Sequence, residues 1–379
     1  MFATGDASRR RFLKVGSSMV LAAGASSVHA KVPFRRQSPS SHDLQEVGLI
    51  LGSDGHSGSI WRRFLNPPAG EIRRTGMIFT KVWSAKRSVA EQFKADTGAE
   101  IVKSFDSMVD KVDGIYVDNY SAVAYNYKLA RPYLDAGIPT FVNRPFADSI
   151  RKAKDMTDRS RKNSAPLLTA SSFEFLEEIY LAKHNLKLNE ITGYDAYNMC
   201  SDYYSHGLHG LWWAYAAAGA GIEAVSLKCN NWRKSCGSLA SAVYKDRGSG
   251  QFIGRIHEGY TSRVGGCRCA IIFQPGDQIY YNQVASELAT DRFLWLPMQL
   301  SIQQMFETGK MPQTQEEIME KSKLFIGAFY SMFELGGKMI DLDQIPEDWT
   351  IGTPDNHGTS DEIEMYAKLF GKEPDIRKG

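Results

Sequence analysis

Two short stretches hold the residues best suited to chemistry. The first, GSDGHSG at 52–58, follows the apolar run Val47 to Leu51 and sets Gly52, Gly55 and Gly58 at three-residue intervals around His56. A glycine turn between strand and helix lets the backbone approach a phosphate, and the free N–H groups at the helix start donate to it. The spacing is G-x-x-G-x-x-G, so Ser53 or Asp54 falls where the backbone normally comes closest to a pyrophosphate. A carboxylate there repels the ligand unless it points away or caps the helix. The second stretch, DYYSHGLHGLWW, brings Asp202, Tyr203, Tyr204, His206 and His209 to a helix start. Backbone donors and the helix dipole favour polar or anionic substrate atoms at such a place. Imidazoles beside a carboxylate and two phenols can move protons there.

Other groups extend both sets. In TKVWSAKRS, Ser84, Lys86 and Arg87 form a small cationic cluster with no carboxylate, which suits the extra phosphate of NADP better than the free ribose of NAD. A metal-based alternative draws on His206, His209, Asp202, His56 and Glu174 of SSFEF, although their spacing fits no dedicated zinc signature. Five cysteines, at 200, 229, 236, 267 and 269, are an odd set that argues against a disulfide framework. Cys267 and Cys269 share one face of a strand, where packing explains them.

The elements that must carry these residues alternate in the first half. Apolar runs VGLIL, RTGMIFTKVW, IVKSF, VDGIYVDNY, PTFVNRP and APLLTAS read as strands. Between them, helices are expected at Ile60–Leu65, Arg87–Thr97, Ala122–Ala136 and Ser149–Asn163. Strands alternating with helices build a doubly wound parallel sheet. After about residue 175, long aromatic and glycine-containing runs read as antiparallel strands of a large open sheet, with one face wet. Helices close the chain: PMQLSIQQMFETG, then a segment capped by Thr314 and Gly336. The expected division is an export signal at 1–30, a linker arm at 31–45, a dinucleotide-binding Rossmann-like domain at 46–170, and a substrate-binding α+β domain at 171–379.

Composition narrows the partners. With 379 residues, 43% apolar and a net charge of +2, the chain can bury a large core and has no basic surplus to drive nucleic-acid binding. SRRRFLKVG, from Ser8 to Gly16, followed by the apolar stretch Val15 to Ala25, matches the twin-arginine export pattern, with cleavage expected after Ala30. A folded chain would then engage the twin-arginine export machinery with any cofactor already inside, and reach the periplasm or the exterior.

A parallel nucleotide-binding half followed by a mostly antiparallel half resembles the Gfo/Idh/MocA oxidoreductases. The landmarks are the glycine turn, VNRPFAD in place of an E-K-P motif, SHGLHGLWW in place of a glycine-histidine helix start, and the C-terminal FETGKMPQTQEEIME. First-helix LNP, Leu65 to Pro67, resembles one subgroup. The resemblance runs from about Val47 to Leu342. It implies tightly bound NADP or NAD, a sugar or polyol substrate, and a homo-oligomer. The implied cofactor set is Gly52, Gly55, His56, Gly58, Ser84, Arg87, Asn119 and Arg144. His209 becomes the acid/base group, with Arg144 and His206 beside it, and Asp202, Tyr204 and Glu174 face the substrate. Arg144 stands in place of the family's lysine; a guanidinium stays protonated, so it orients a hydroxyl but makes a poor base. Trp212 replaces the acidic residue expected three after the histidine. These replacements keep two alternatives open: a non-redox carbohydrate enzyme, namely a lyase, hydratase or glycosidase, and a catalytically silent sugar-binding protein.

Overall fold

The computed structural model describes residues 44–120, 122–177, 179, 191–199, 203–233, 238–244, 252–259, 268–275, 280–285, 294–352 and 360–374. The expected export signal and nearly all of the linker arm lie outside the described residues, as do Asp202, Cys200, Cys236 and Cys267.

Strands β1 (Gln45–Leu51), β2 (Met77–Trp83), β3 (Glu100–Ile101), β4 (Gly114–Asp118), β5 (Thr140–Val142) and β6 (Leu167–Leu168) form one sheet. Their order is β3-β2-β1-β4-β5-β6, and every pair in it is parallel. This is the Rossmann order, in which ligands bind beyond the carboxyl ends where the order reverses, here between β1 and β4. The strands at that reversal carry apolar runs, at 47–51 and 115–117, because both faces are covered: β4 is buried throughout and β1 from Val47 onward.

Helices α1 (Arg62–Leu65), α2 (Arg87–Thr97), α3 (Asn126–Asp135) and α4 (Ile150–Asn163) connect these strands. Two are shorter than the sequence pattern suggests. Residues His56–Gly58 make a 3-10 turn, and α1 has only four residues, because Pro67 and Pro68 push the preceding backbone away from the helical region. Likewise a 3-10 turn, Val123–Tyr125, precedes α3.

The second sheet contains β7 (Ile191–Met199), β8 (Ile222–Cys229), β9 (Ser238–Tyr244), β10 (Phe252–Gly259), β11 (Arg268–Pro275), β12 (Tyr280–Ala285) and β13 (Ile340–Asp341). Its order is β12-β11-β7-β10-β9-β8-β13. It is mostly antiparallel, but β7 and β10 run parallel at its centre, a pairing the sequence did not suggest. Helix α5 (Leu208–Ala218) packs on β7 and β10 with every residue buried, which is why LHGLWWAYAAA is apolar all round.

Helix α6 (Leu296–Thr308) returns to the first sheet. Met298, Ile302, Met305 and Phe306 join the core formed by Val47, Phe79 and Tyr116. A Cβ at Gly114 would sit 2.3 Å from the Phe306 ring, so this glycine lets the helix approach the sheet. Helix α7 (Gln315–Glu334) starts at a capping box between Thr314 and Glu317 and is followed by left-handed Gly336 and Gly337. Helix α8 (Ser360–Phe370) ends the described chain elements. No described helix is long and apolar enough to cross a membrane.

Candidate active site

The turn after β1 is built against the end of β4. Gly52 N donates to Asp118 O at 2.9 Å, and Gly55 N to Gly52 O at 3.0 Å. A Cβ on Gly55 would lie 2.6 Å from the Asp118 carbonyl oxygen, and one on Gly52 would lie 2.9 Å from Asn119 Oδ1. Close packing against β4 therefore requires these two glycines, whereas Gly58 has open room, with no neighbour nearer than 3.7 Å. Asp54 points back into the fold and accepts from Tyr120 N at 3.2 Å. The buried carboxylate of Asp118 accepts from Ser57 N at 2.5 Å and from Asn143 Nδ2 at 2.6 Å. Burial pushes the Asp118 carboxyl up, while its Ser57 and Asn143 donors counter part of that shift.

The end of β5 brings Arg144 to the same place. It is buried, its peptide bond to Pro145 is cis, its guanidinium lies 4.5 Å over the Tyr120 ring, and Nη1 donates to Ser205 O. His56 reaches in from the glycine turn, hydrogen-bonded through Nδ1 to the Tyr120 hydroxyl and edged by Trp61 and Trp295. Residues Tyr203–Gly207 form a π-helical turn that runs into α5. That turn sets the His206 and His209 rings 6.0 Å apart, with Ser205 Oγ at 2.8 Å from His206 Nδ1.

His209 is buried, and its Nδ1 lies 2.6 Å from Ser171 Oγ. Nε2 is the nitrogen left for a substrate. Burial pulls the imidazole well below the usual histidine range, and the charges of Arg144, His206 and His56 add to the shift. His56 is lowered in the same way, by burial and then by Arg144 and His206. Both rings are neutral at neutral pH.

A chain of buried groups fixes Ser171. Its N–H donates to Glu174 Oε1 at 2.7 Å in a capping box. Glu174 Oε2 is paired with Lys321 Nζ at 2.8 Å and accepts from Gln313 Nε2 at 2.9 Å. Lys321 also donates to Thr169 O at 3.1 Å and stands 4.4 Å from the centre of the Trp212 ring. Trp212 therefore cradles this ammonium group in place of the missing carboxylate, and Ser171, from another element, contacts His209.

Several expected roles change. Glu174 is committed to Ser171, Gln313 and Lys321, so it supports the site and does not face a substrate. Tyr204 is buried against Phe325 and Phe329 with its hydroxyl donating to Gly352 O at 3.3 Å, which makes it a packing residue. Arg87 turns outward to Glu91 one helical turn away, and Lys86 is the cation that faces the groove. Ser84 is buried and its hydroxyl accepts from Lys86 N at 3.3 Å, closing its own turn. Asn119 caps the backbone at Ala122 through Oδ1, with Nδ2 buried and unpartnered. Among the described residues no three histidine, cysteine, aspartate or glutamate side chains are placed to hold a metal ion, and Asp202, one of the proposed ligands, lies outside them. Sequence reasoning missed Tyr120, Asp118 and Lys321. The Ser171-x-x-Glu174 pair carried a legible capping signal.

Residues 55–171 match the family model described as the oxidoreductase family, NAD-binding Rossmann fold, Gfo/Idh/MocA. No curated protein matches the chain in sequence. Among solved structures, GenD2 from gentamicin A biosynthesis, in complex with NAD, superposes with a TM-score of 0.65 at 11% identity, covering 80% of this chain and 98% of its own. Scyllo-inositol dehydrogenase from Lactobacillus casei, with bound NAD(H) and scyllo-inositol, gives 0.62 at 14% identity, covering 79% and 100%. Myo-inositol 2-dehydrogenase from Lactobacillus plantarum gives 0.63 at 12% identity, covering 79% and 99%. Residues 55–171 thus carry a domain similar to the NAD-binding Rossmann domain of the Gfo/Idh/MocA oxidoreductases, and the chain shares the fold of these solved structures.

Proposed function

We propose that the protein is an oxidoreductase that moves hydride between NADP or NAD and a carbinol carbon of a sugar or polyol. The observation that carries this reading is His209: a buried, neutral imidazole, held through Nδ1 by Ser171, beside Arg144 where β5 meets the glycine turn. Ser53 and Lys86 supply donors suited to a nucleotide's anionic groups, since carboxylates of this same chain already occupy both. Asn119 Nδ2 offers a further buried donor. When bound, the nicotinamide supplies the hydride acceptor or donor.

The chain's own residues do the rest. His209 Nε2 takes the hydroxyl proton as a carbinol is oxidised and returns it in the reverse direction. A serine partner suits both directions, because its hydroxyl accepts from Nδ1–H while Nε2 is the free base and keeps accepting from Nδ1–H once Nε2 has taken the proton and the ring is an imidazolium. Arg144, permanently charged, orients the hydroxyl and steadies developing negative charge on its oxygen. The aromatic wall of buried Trp61 and Tyr120 and half-buried Trp295 excludes water from one side. Export by the twin-arginine route, activity in the periplasm and self-assembly complete the proposal.

A non-redox lyase or hydratase on the same residues is favoured by one feature: the Asp118 carboxylate holds the Ser57 N–H that a pyrophosphate would take. The test is a panel of sugars and polyols with NADP and NAD, following both reduced nucleotide and sugar products. Reduced nucleotide formed in step with oxidised sugar supports the first reading. Sugar conversion without it supports the second.

A further inference from the structure

Helix α8 lies across the carboxyl ends of β1 and β2. In this strand order that is the adenosine half of a dinucleotide groove: the turn after β1 receives the pyrophosphate, and the end of β2 receives the ribose or its phosphate. Glu362 Oε2 accepts from Ser53 N at 2.9 Å and from the Ser53 hydroxyl. Asp361 pairs with Lys86 at 2.6 Å. Tyr366, fully buried, stacks on Tyr125 with centroids 5.5 Å apart and planes 19° from parallel, and meets the edge of Trp83 at 6.2 Å. The helix thus presents an anion to the turn, an anion to the cation after β2, and a flat ring to an aromatic floor. An adenosine phosphate presents the same three features.

The far end of the segment is also held. Lys128 Nζ donates to Phe370 O at 2.9 Å, and Glu373 pairs with Lys128 at 2.7 Å and Lys152 at 3.0 Å. The interface nevertheless leaves polar atoms unsatisfied. Glu362 Oε1, Tyr366 Oη and Asn119 Nδ2 are buried without a hydrogen-bond partner, on side chains at most 1% exposed. Native interiors leave few such atoms. An occupant that fits the groove incompletely is one that a better-matched ligand can displace.

We propose that α8 is an exchangeable intramolecular occupant of the adenosine half of the groove, so that an adenine dinucleotide binds only as the helix leaves. This rests on the nucleotide reading above and adds its regulation: the chain's own C-terminal segment competes with the cofactor. A helix docked in nine-tenths of the molecules weakens apparent nucleotide affinity about tenfold.

The test uses the full chain and two variants, Glu362→Lys, which places a cation against Ser53 and Lys86, and Asp361→Asn, which removes only a partly exposed ion pair. Binding of NADP and NAD is measured by calorimetry, and hydrogen exchange is followed in peptides covering 360–370 and 52–58. The expected result is that saturating nucleotide speeds exchange at 360–370 and slows it at 52–58. Glu362→Lys should bind about tenfold or more tightly than the parent, and Asp361→Asn by a smaller factor. If Glu362→Lys does not fold, Asp361→Asn and the parent's exchange response still decide. Nucleotide binding with 360–370 as protected as before, and no gain in either variant, would overturn the proposal and leave the oxidoreductase reading standing. No nucleotide bound by the parent, or by a variant whose helix exchanges freely, would overturn both.

Discussion

Replacing Lys321 by methionine removes the ammonium but keeps most of the side-chain volume. In the native fold this group is fully buried, paired with Glu174 at 2.8 Å and placed 4.4 Å over Trp212. Its loss leaves the Glu174 carboxylate buried with only the Ser171 N–H and the Gln313 amide as donors. Breaking one side of a buried pair costs about 3–5 kcal/mol, and the lost cation–π contact adds roughly 1 kcal/mol. Against a typical total of about 5–15 kcal/mol, Lys321→Met should lower the denaturant midpoint sharply. Glu174→Gln should also destabilise, because it strands the ammonium. The double variant should be more stable than the sum of the two single losses by about 2–3 kcal/mol, since no buried charge remains unpaired. The assay is urea unfolding of all four proteins, followed by tryptophan fluorescence. Losses under about 1 kcal/mol in the single variants, or strict additivity in the double, would refute the reasoning that this pair anchors the site.

Ser171→Ala should lower kcat roughly tenfold with KM little changed, equivalent to one neutral hydrogen bond of about 1.4 kcal/mol that orients His209, as steady-state kinetics would show. Stability should fall as pH drops below about 6.5, because the unfolded chain takes up protons that half-buried His56 and buried His209 refuse; each can contribute up to about 1.4 kcal/mol per pH unit, read from unfolding midpoints across pH. By the same shift, the acid limb of the kcat profile should lie below the ordinary histidine range. Gly55→Ala should destabilise by about 1–3 kcal/mol, since the added Cβ meets the Asp118 carbonyl oxygen at 2.6 Å. Gly58→Ala, with open room, should be neutral or stabilising by under about 1 kcal/mol, and thermal melts of the two variants test the contrast.

Much of the fold was legible because local pattern and tertiary burial agree. Residues 47–51 of β1 and 115–117 of β4 lack polar side chains because helices cover both faces of a parallel sheet. Thr314 and Gly336 marked the ends of α7 through chemistry that acts within one helical turn. The site was legible where its residues are neighbours in sequence, as His206 and His209 are, or sit in a motif that resembles the family's, as His56 and Arg144 do. Ser171 reaches His209 across 38 positions, and Lys321 reaches Glu174 across 147. No periodicity encodes such meetings. Asp54 was ambiguous because a carboxylate in a glycine turn either meets the ligand or turns back to the backbone, and only the position of Tyr120 decides between them. Arg87 and Lys86 are adjacent, but the helix start sends one toward Glu91 and the other toward Asp361. Helix α8 lies beyond the stretch that resembles the family, so its place over the groove followed from no motif.

Hydride transfer assisted by His209 leaves an isotopic signature. The direct measurement supplies a panel of polyols and sugars deuterated at their carbinol carbons, with NADP or NAD, and follows the label by mass spectrometry in the parent and in His209→Ala. Deuterium should appear on the reduced nicotinamide, at a rate cut about a hundredfold or more in the variant. Deuterium released to water while the sugar is converted, with no label on the nucleotide, would contradict it.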